Sequence, residues 1–199
     1  MSKEIQIDRV AVFCGSSSGN DIAITETALR LGQLLAEEYI ELVYGAAKIG
    51  VMGEVAEAVL DHGGRVVGVI PEFLKRKEVV HLGLSELITT ENMHQRKLIM
   101  SERSDGFIAL PGGFGTLEEL FEIITWSQLG LHQKPVGLLN INGFYDPLIA
   151  LLEGMVRKGF LKMENFEILL VASDPNLLLQ KMRTYKALEV PKWLTQDRT

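Results

Sequence analysis

Three short segments of this chain carry residue types suited to holding an anion and to acting on something attached to it. Pro111-Gly112-Gly113-Phe114-Gly115-Thr116 lies between an apolar run and a segment of helical periodicity. Free N–H groups and the positive end of the dipole at a helix N-terminus favour an anion, so this turn is a candidate phosphate cradle, with the Thr116 hydroxyl as a further donor. Glycine also satisfies tight-turn geometry with no ligand at all. Two more turns share the character: Cys14-Gly15-Ser16-Ser17-Ser18-Gly19, and Gly45-Ala46-Ala47-Lys48-Ile49-Gly50-Val51-Met52-Gly53. Three small-residue turns at one sheet edge favour ligand binding, with Gly15, Ser16 and Gly45 among the candidate contacts.

Glu119 admits two roles. Thr116-Leu117-Glu118-Glu119 is a capping-box sequence in which Glu119 would bond back to the Thr116 N–H and do no chemistry. A carboxylate one turn from a bound phosphate is equally placed to stabilise an oxocarbenium-like sugar or to orient water. Arg96 and Lys97 fall early in a helical segment, where cations oppose the helix dipole. They share a face with Met93 and Met100, so they are either snorkelling cations or contacts to an anionic substrate.

Commoner nucleotide motifs do not fit. Gly45 to Gly50 has P-loop spacing, but Val51 and Met52 stand where Lys and Ser/Thr are required. Gly113-Phe114-Gly115 begins a dinucleotide fingerprint, yet Glu118 replaces its third glycine. His62, His81, His94 and His132 form no pair at metal spacing, and no metal or organic cofactor is expected. Cys14, at a strand end without an identified partner, reads as a packed thiol.

The elements that must position these residues alternate between short β-branched runs and longer helical patterns. Strands are expected near Arg9 to Phe13, Glu41 to Tyr44, Arg65 to Ile70, Glu86 to Thr89, Gly106 to Leu110, Pro135 to Leu139 and Glu167 to Val171. Helices are expected at Asp21 to Glu38, Val51 to His62, Asn92 to Arg103, Thr116 to Leu129, Tyr145 to Lys158 and Pro175 to Tyr185, with a tail from Ala187 to Thr199. The nearly continuous apolar strands predict an α/β fold: a three-layer Rossmann-like domain over 1–199 with a mainly parallel, about seven-stranded central sheet. Ligands in such sheets bind beyond the carboxyl ends of the strands.

With 199 residues, 47% hydrophobic and 23% charged, the chain suits one domain with its own core. A net charge of −6 disfavours a nucleic-acid polymer, and Lys75-Arg76-Lys77 is a short exception. One cysteine, no signal-peptide core and no apolar run near ~20 residues lead to the expectation of a cytoplasmic protein away from membranes. Trp126, Leu129 and Leu131 cluster beyond the needs of one core face and suggest an interface.

Met93-His94-Gln95-Arg96-Lys97 followed by Pro111-Gly112-Gly113-Phe114-Gly115-Thr116-Leu117-Glu118-Glu119 resembles the paired MHxRK and PGGxGTxxE motifs of the Lonely Guy family of cytokinin riboside 5′-monophosphate phosphoribohydrolases. Cys14-Gly15-Ser16 and Lys134 to Asn140 extend the likeness over about Val10 to Ala172. The resemblance implies a homodimer that hydrolyses an adenine-type nucleoside 5′-monophosphate to free base and ribose 5-phosphate. It assigns catalysis to Arg96 and Glu119, phosphate or ribose contacts to Gly113, Phe114, Gly115 and Thr116, and further substrate contacts to Glu78, Lys97 and Thr125. Members are often labelled lysine decarboxylases, but no pyridoxal-phosphate site is evident here. Where many members carry a run of glycines, this chain has Gly45-Ala46-Ala47, which would place two methyl groups near the ligand. A non-catalytic nucleotide or phosphoribosyl binder and a broader nucleotide nucleosidase are the alternatives.

Overall fold

A computed structural model describes residues 4–75 and 79–187. The β-branched runs form seven strands: β1 (Arg9–Phe13), β2 (Glu41–Tyr44), β3 (Val66–Pro71), β4 (Glu86–Thr90), β5 (Gly106–Ala109), β6 (Val136–Leu139) and β7 (Leu169–Ala172). They make one sheet in the order β4-β3-β2-β1-β5-β6-β7, and all six pairings are parallel. Parallel neighbours need crossovers, and among the described residues eight helices supply these connections and the cover that follows β7: α1 (Ile22–Glu37), α2 (Gly50–Asp61), α3 (Glu72–Lys75), α4 (Met93–Glu102), α5 (Phe114–Gln128), α6 (Asp146–Arg157), α7 (Met163–Phe166) and α8 (Pro175–Arg183).

Side chains alternate across the sheet and divide the core in two. Val10 and Val12 of β1, with Ile108 of β5, pack under α1, α2 and α8. Ala11, Phe13, Phe107 and Ala109 point the other way, against Met100 of α4, Leu120 and Ile123 of α5, and Leu152 of α6. Helices thus cover both faces, the arrangement expected from strands without polar alternation. No helix among the described residues is long and apolar enough to cross a membrane.

Element boundaries differ from the sequence expectation by one or two residues at most joins. Two single-turn helices, α3 and α7, and a 3-10 turn at Ile141–Gly143 are additions too short to leave a periodic signal. Another addition is an antiparallel strap. Ala47 bridges Val80, the Lys48 N–H donates to the Val79 carbonyl at 2.8 Å, and the His81 N–H donates to that of Ala46 at 2.9 Å. Arg76, Lys77, Glu78 and the tail beyond Ala187 lie outside the described residues.

Candidate active site

β1 and β5 are neighbours although the chain visits β2, β3 and β4 between them. The turn after β1 leads to a helix on one face and the turn after β5 to a helix on the other, which opens a crevice at the strand C-termini. A cleft of about 290 Å³ lies there. Gly15, Ser16, Gly45, Arg96, Gly113, Phe114, Gly115, Thr116 and Glu119, all expected from the sequence, line it. Cys14, Met52, Met93 and Glu118 line it as well.

The cradle is built from glycines of two kinds. Gly112 is packed: an added Cβ would collide with the Thr116 hydroxyl and come within 2.8 Å of the Gly15 nitrogen. Gly113 and Gly115 are exposed, have no positive φ, and would meet nothing within 4 Å if given a Cβ. Turn geometry explains Gly112 and leaves the other two unexplained. Gly113 is also the N-cap of α5 and offers no side-chain cap, so the first N–H groups of the helix face the cleft mouth without a protein acceptor from that position. An anion would satisfy them.

The capping-box role of Glu119 is excluded by where α5 begins. Phe114 is the first helical residue, so Thr116 is the third and is buried inside the helix, and Glu119 is the sixth. Phe114 and Gly115 continue the helix because Gly113 caps it with an extended backbone, a start two residues earlier than the sequence pattern indicated. Glu119 faces the cleft, half-buried. Loss of water pushes its pKa up to about 7; the Arg96 guanidinium pulls against that shift, and the Glu118 charge adds to it.

Arg96 sits in the first turn of α4, whose N-cap Asn92 accepts from the Gln95 N–H at 2.9 Å. Its side chain is only 7% exposed. Nη2 donates to the Gly45 carbonyl at 3.4 Å, Nη1 lies 3.8 Å from the Met93 sulfur, and Nε is buried without a partner. A buried cation with an unsatisfied N–H is costly in a purely structural role. Gly45 makes the arrangement possible, because a Cβ there would fall on Nη2 and close to the Met52 methyl. The sequence placed Gly45 among the ligand contacts; the structure shows it also seating the guanidinium.

Lys97, next in the chain, turns away. Its ammonium pairs with Glu118 at 2.6 Å and Glu122 at 3.0 Å, tying α4 to α5. Burial alone would lower its pKa, but these two carboxylates outweigh that and raise it. Thr125 is exposed, donates its hydroxyl to the Phe121 carbonyl at 2.6 Å, and lies roughly 9 Å along the helix axis from Glu119 at the ordinary rise per residue. Neither lines the cleft within one chain. Glu78 lies outside the described residues.

The expected crowding by Ala46 and Ala47 does not occur. The Ala46 methyl points at β3, where Gly68 leaves room for it, and both alanines are buried away from the cleft. Ala46 adopts a left-handed φ of 66°, and the strap to Val79–His81 holds it there. Cys14 is buried, and burial reinforced by the Glu119 and Glu54 charges pushes its thiol pKa far above the ordinary value, so it is a packed thiol and a poor nucleophile. Among the described residues no group of three His, Cys, Asp or Glu side chains could hold a metal.

A second cavity of about 320 Å³ adjoins the first across Gly15, Ser16 and Gly113, and is walled by Ser18, Ile24 and Phe144. Met52 and Glu118 carried no sequence signal of their own; they start from helices on opposite faces of the sheet, α2 and α5, and meet only at the cleft.

Residues 52–182 match the family model described as "Possible lysine decarboxylase". The chain is 48% identical to the Arabidopsis thaliana cytokinin riboside 5′-monophosphate phosphoribohydrolase LOG2, with 92% of this chain and 84% of that protein covered. It is 44% identical to LOG1 of the same plant, over 93% and 87%. Among solved structures, the molybdenum cofactor binding protein of Rippkaea orientalis superposes with a TM-score of 0.68 at 24% identity, covering 90% of this chain and 98% of that one. The Moco carrier protein of Chlamydomonas reinhardtii gives 0.63 at 21%, over 88% and 99%. Likenesses this distant in sequence speak to fold alone, and the crevice at the β1/β5 switch point is common property of such folds. Identity near one half over nine-tenths of the chain, with the Arg96 and Glu119 motifs in place, is a different matter: the chain belongs to the Lonely Guy family of cytokinin riboside 5′-monophosphate phosphoribohydrolases.

Proposed function

We propose that the protein hydrolyses the N-glycosidic bond of an adenine-type nucleoside 5′-monophosphate, AMP or an N6-prenylated relative, to free base and ribose 5-phosphate. One observation carries the reading: Glu119, with a pKa near neutrality and Arg96 opposite, shares a cleft with an uncapped helix end whose two open glycines have no packing purpose. The phosphate takes the N–H groups of the Gly113 to Thr116 turn, which sets the ribose over Glu119. As the bond from C1′ to the base breaks, its electron pair leaves with the base and positive charge develops on the sugar. The Glu119 carboxylate stabilises that charge and accepts a proton from the water that attacks C1′; the departing base takes up a proton in exchange. Arg96 opposes protonation of Glu119 in the free enzyme and presents its guanidinium at the cleft wall to the substrate. No metal or organic cofactor takes part in this scheme.

Two copies complete the site. The outer faces of α4 and α5 expose Leu98, Phe121 and Leu129, and Phe114 at the cleft mouth is 93% exposed. Trp126, on the same helix, is half-buried and packs against the second core layer instead, and Leu131 is half-buried. Thr125 lies on this outer surface and Lys97 sits at its edge between the two helices, so the substrate contacts that the family resemblance implies for them are made across a two-fold interface. A cytoplasmic setting belongs to the same reading.

The test is to incubate the protein with a panel of nucleotides and chromatograph for free base. Adenine from AMP, with adenosine cleaved at least about a hundredfold less efficiently, is expected from two charge-assisted phosphate contacts. Binding of AMP without base release would favour a nucleotide carrier, and equal use of pyrimidine nucleotides a broad nucleosidase. Light scattering at micromolar concentration should return twice the chain mass; a monomer would remove the interface.

A further inference from the structure

Glu54, in the second turn of α2, serves no part of the chemistry above, yet it is tied to the wall of the site. The Ser18 hydroxyl donates to Glu54 Oε1 at 2.6 Å, while Oε2 is buried with no hydrogen-bond partner among the described residues. Ser18 lines the cavity that adjoins the cleft, so this bond reaches the wall of the site from α2. An unsatisfied carboxylate oxygen destabilises a fold, and an amide would satisfy the same hydroxyl at lower cost in desolvation. What the position supplies to the site is an acceptor for the Ser18 hydroxyl, a role an amide oxygen also fills.

What the bond holds is the turn after β1. Gly50, at a φ of 65°, brings the start of α2 so close that a Cβ there would collide with the Ser16 carbonyl. The Met52 N–H donates to the Gly15 carbonyl at 3.2 Å, and the Gly15 N–H donates to the Pro111 carbonyl at 3.2 Å. Gly15 in turn lies against Gly112, the packed glycine of the phosphate cradle. A continuous path therefore runs from Glu54 through Ser18 and Gly15 to the Pro111 to Thr116 turn. Ser16 and Ser17 are exposed on that turn, and Ser18 is the residue whose side chain anchors it to α2.

We propose that Glu54 is a positioning residue: through Ser18 it fixes the turn after β1 against the phosphate cradle, and so sets affinity for the 5′-phosphate end of the substrate. The inference rests on the proposed reaction only for the identity of that end. Ribose 5-phosphate is the probe, because it carries the phosphate and undergoes no cleavage, and its binding is followed by calorimetry beside steady-state turnover of AMP. Loss of one charge-assisted bond predicts about tenfold weaker ribose 5-phosphate binding and an equally raised KM for Ser18→Ala and for Glu54→Ala, with kcat changed less than about threefold. The double variant should be no weaker than either single one, because both changes remove one bond. Glu54→Gln, whose amide oxygen accepts from Ser18, should bind within about twofold of wild type and melt no lower. Wild-type affinity in folded Ser18→Ala, additive losses in the double variant, or failure of Glu54→Gln to a degree equal to Glu54→Ala would each overturn the proposal. If Glu54→Ala does not fold, Ser18→Ala and Glu54→Gln decide alone. A wild-type protein that binds ribose 5-phosphate but releases no base would refute the hydrolase reading and leave this one standing; one that binds no ribose 5-phosphate would refute the positioning role.

Discussion

The two glycine-rich turns that face each other across the cleft look alike in sequence and do opposite work. In the turn after β2, every glycine is explained by the protein itself. Gly45 makes room for the Arg96 guanidinium, Gly50 has a left-handed backbone against Ser16, and Gly53 lies under the Lys48 carbonyl. In the turn after β5, Gly113 and Gly115 have room for a side chain and a backbone that any residue adopts. A glycine the fold requires shapes the site, and a glycine the fold does not require marks the surface left bare for a ligand.

Arg96→Ala should break the contrast most severely, since it empties the seat that Gly45 provides and leaves Glu119 without its opposing cation. Base release from AMP is expected to fall by about a hundred- to a thousandfold, with the residual activity displaced to higher pH because protonation of Glu119 becomes easier. Unchanged turnover in a steady-state assay would remove Arg96 from the mechanism. Gly45→Ala is the gentler version. The new methyl displaces the guanidinium without deleting it, and roughly a tenfold loss of turnover is expected, on the scale of a misplaced catalytic group.

Gly50→Ala and Gly115→Ala set the two kinds of glycine side by side. The first forces an L side chain into a left-handed backbone that is already in contact with Ser16, and should lower stability by about 2 kcal/mol or more in denaturant unfolding. The second places alanine in the first turn of α5, where helix propensity favours it by up to ~1 kcal/mol, while its methyl intrudes on the phosphate. Stability should hold or rise and ribose 5-phosphate binding should weaken; the reverse pattern would mean the cradle is elsewhere. Ala46→Gly is the smallest change: relief of the left-handed alanine is offset by a void beside Gly68, so stability should move by no more than about 1 kcal/mol and AMP turnover should not move.

The sequence was most legible where one physical rule governed. Uninterrupted apolar runs marked β1 and β2 to the residue, and the strand-edge rule pointed to the three turns that line the cleft. It was least legible where two rules competed for the same residues. Thr116 to Glu119 satisfies a capping-box pattern, and only the extended backbone of Gly113 reveals that α5 starts earlier and leaves Glu119 free of that bond. Lys97 and Arg96 are adjacent on one helix, and nothing local distinguishes the cation that enters the cleft from the one that pairs with Glu118 and Glu122. The direction of the Ala46 methyl depends on Gly68 of β3, 22 positions away, which no turn pattern encodes.

The most direct measurement is kcat/KM for AMP against pH in wild type and Glu119→Gln, with ribose 5-phosphate binding and melting temperature taken alongside. Burial raises the Glu119 pKa from its ordinary value of 4.5 to about 7, so the folded state holds the proton more tightly than the unfolded chain. That proton's contribution to stability is complete below the unfolded pKa and is lost as pH rises through about 7, so Glu119→Gln should melt higher than wild type at pH 8, by an amount corresponding to ~1 to 3 kcal/mol. Wild-type activity should climb through an inflection near pH 7 as the carboxylate forms. The Gln variant should bind ribose 5-phosphate normally, lose that inflection, and release adenine about a hundredfold more slowly or worse. A folded Glu119→Gln protein with near-normal turnover and the same pH profile would contradict the account.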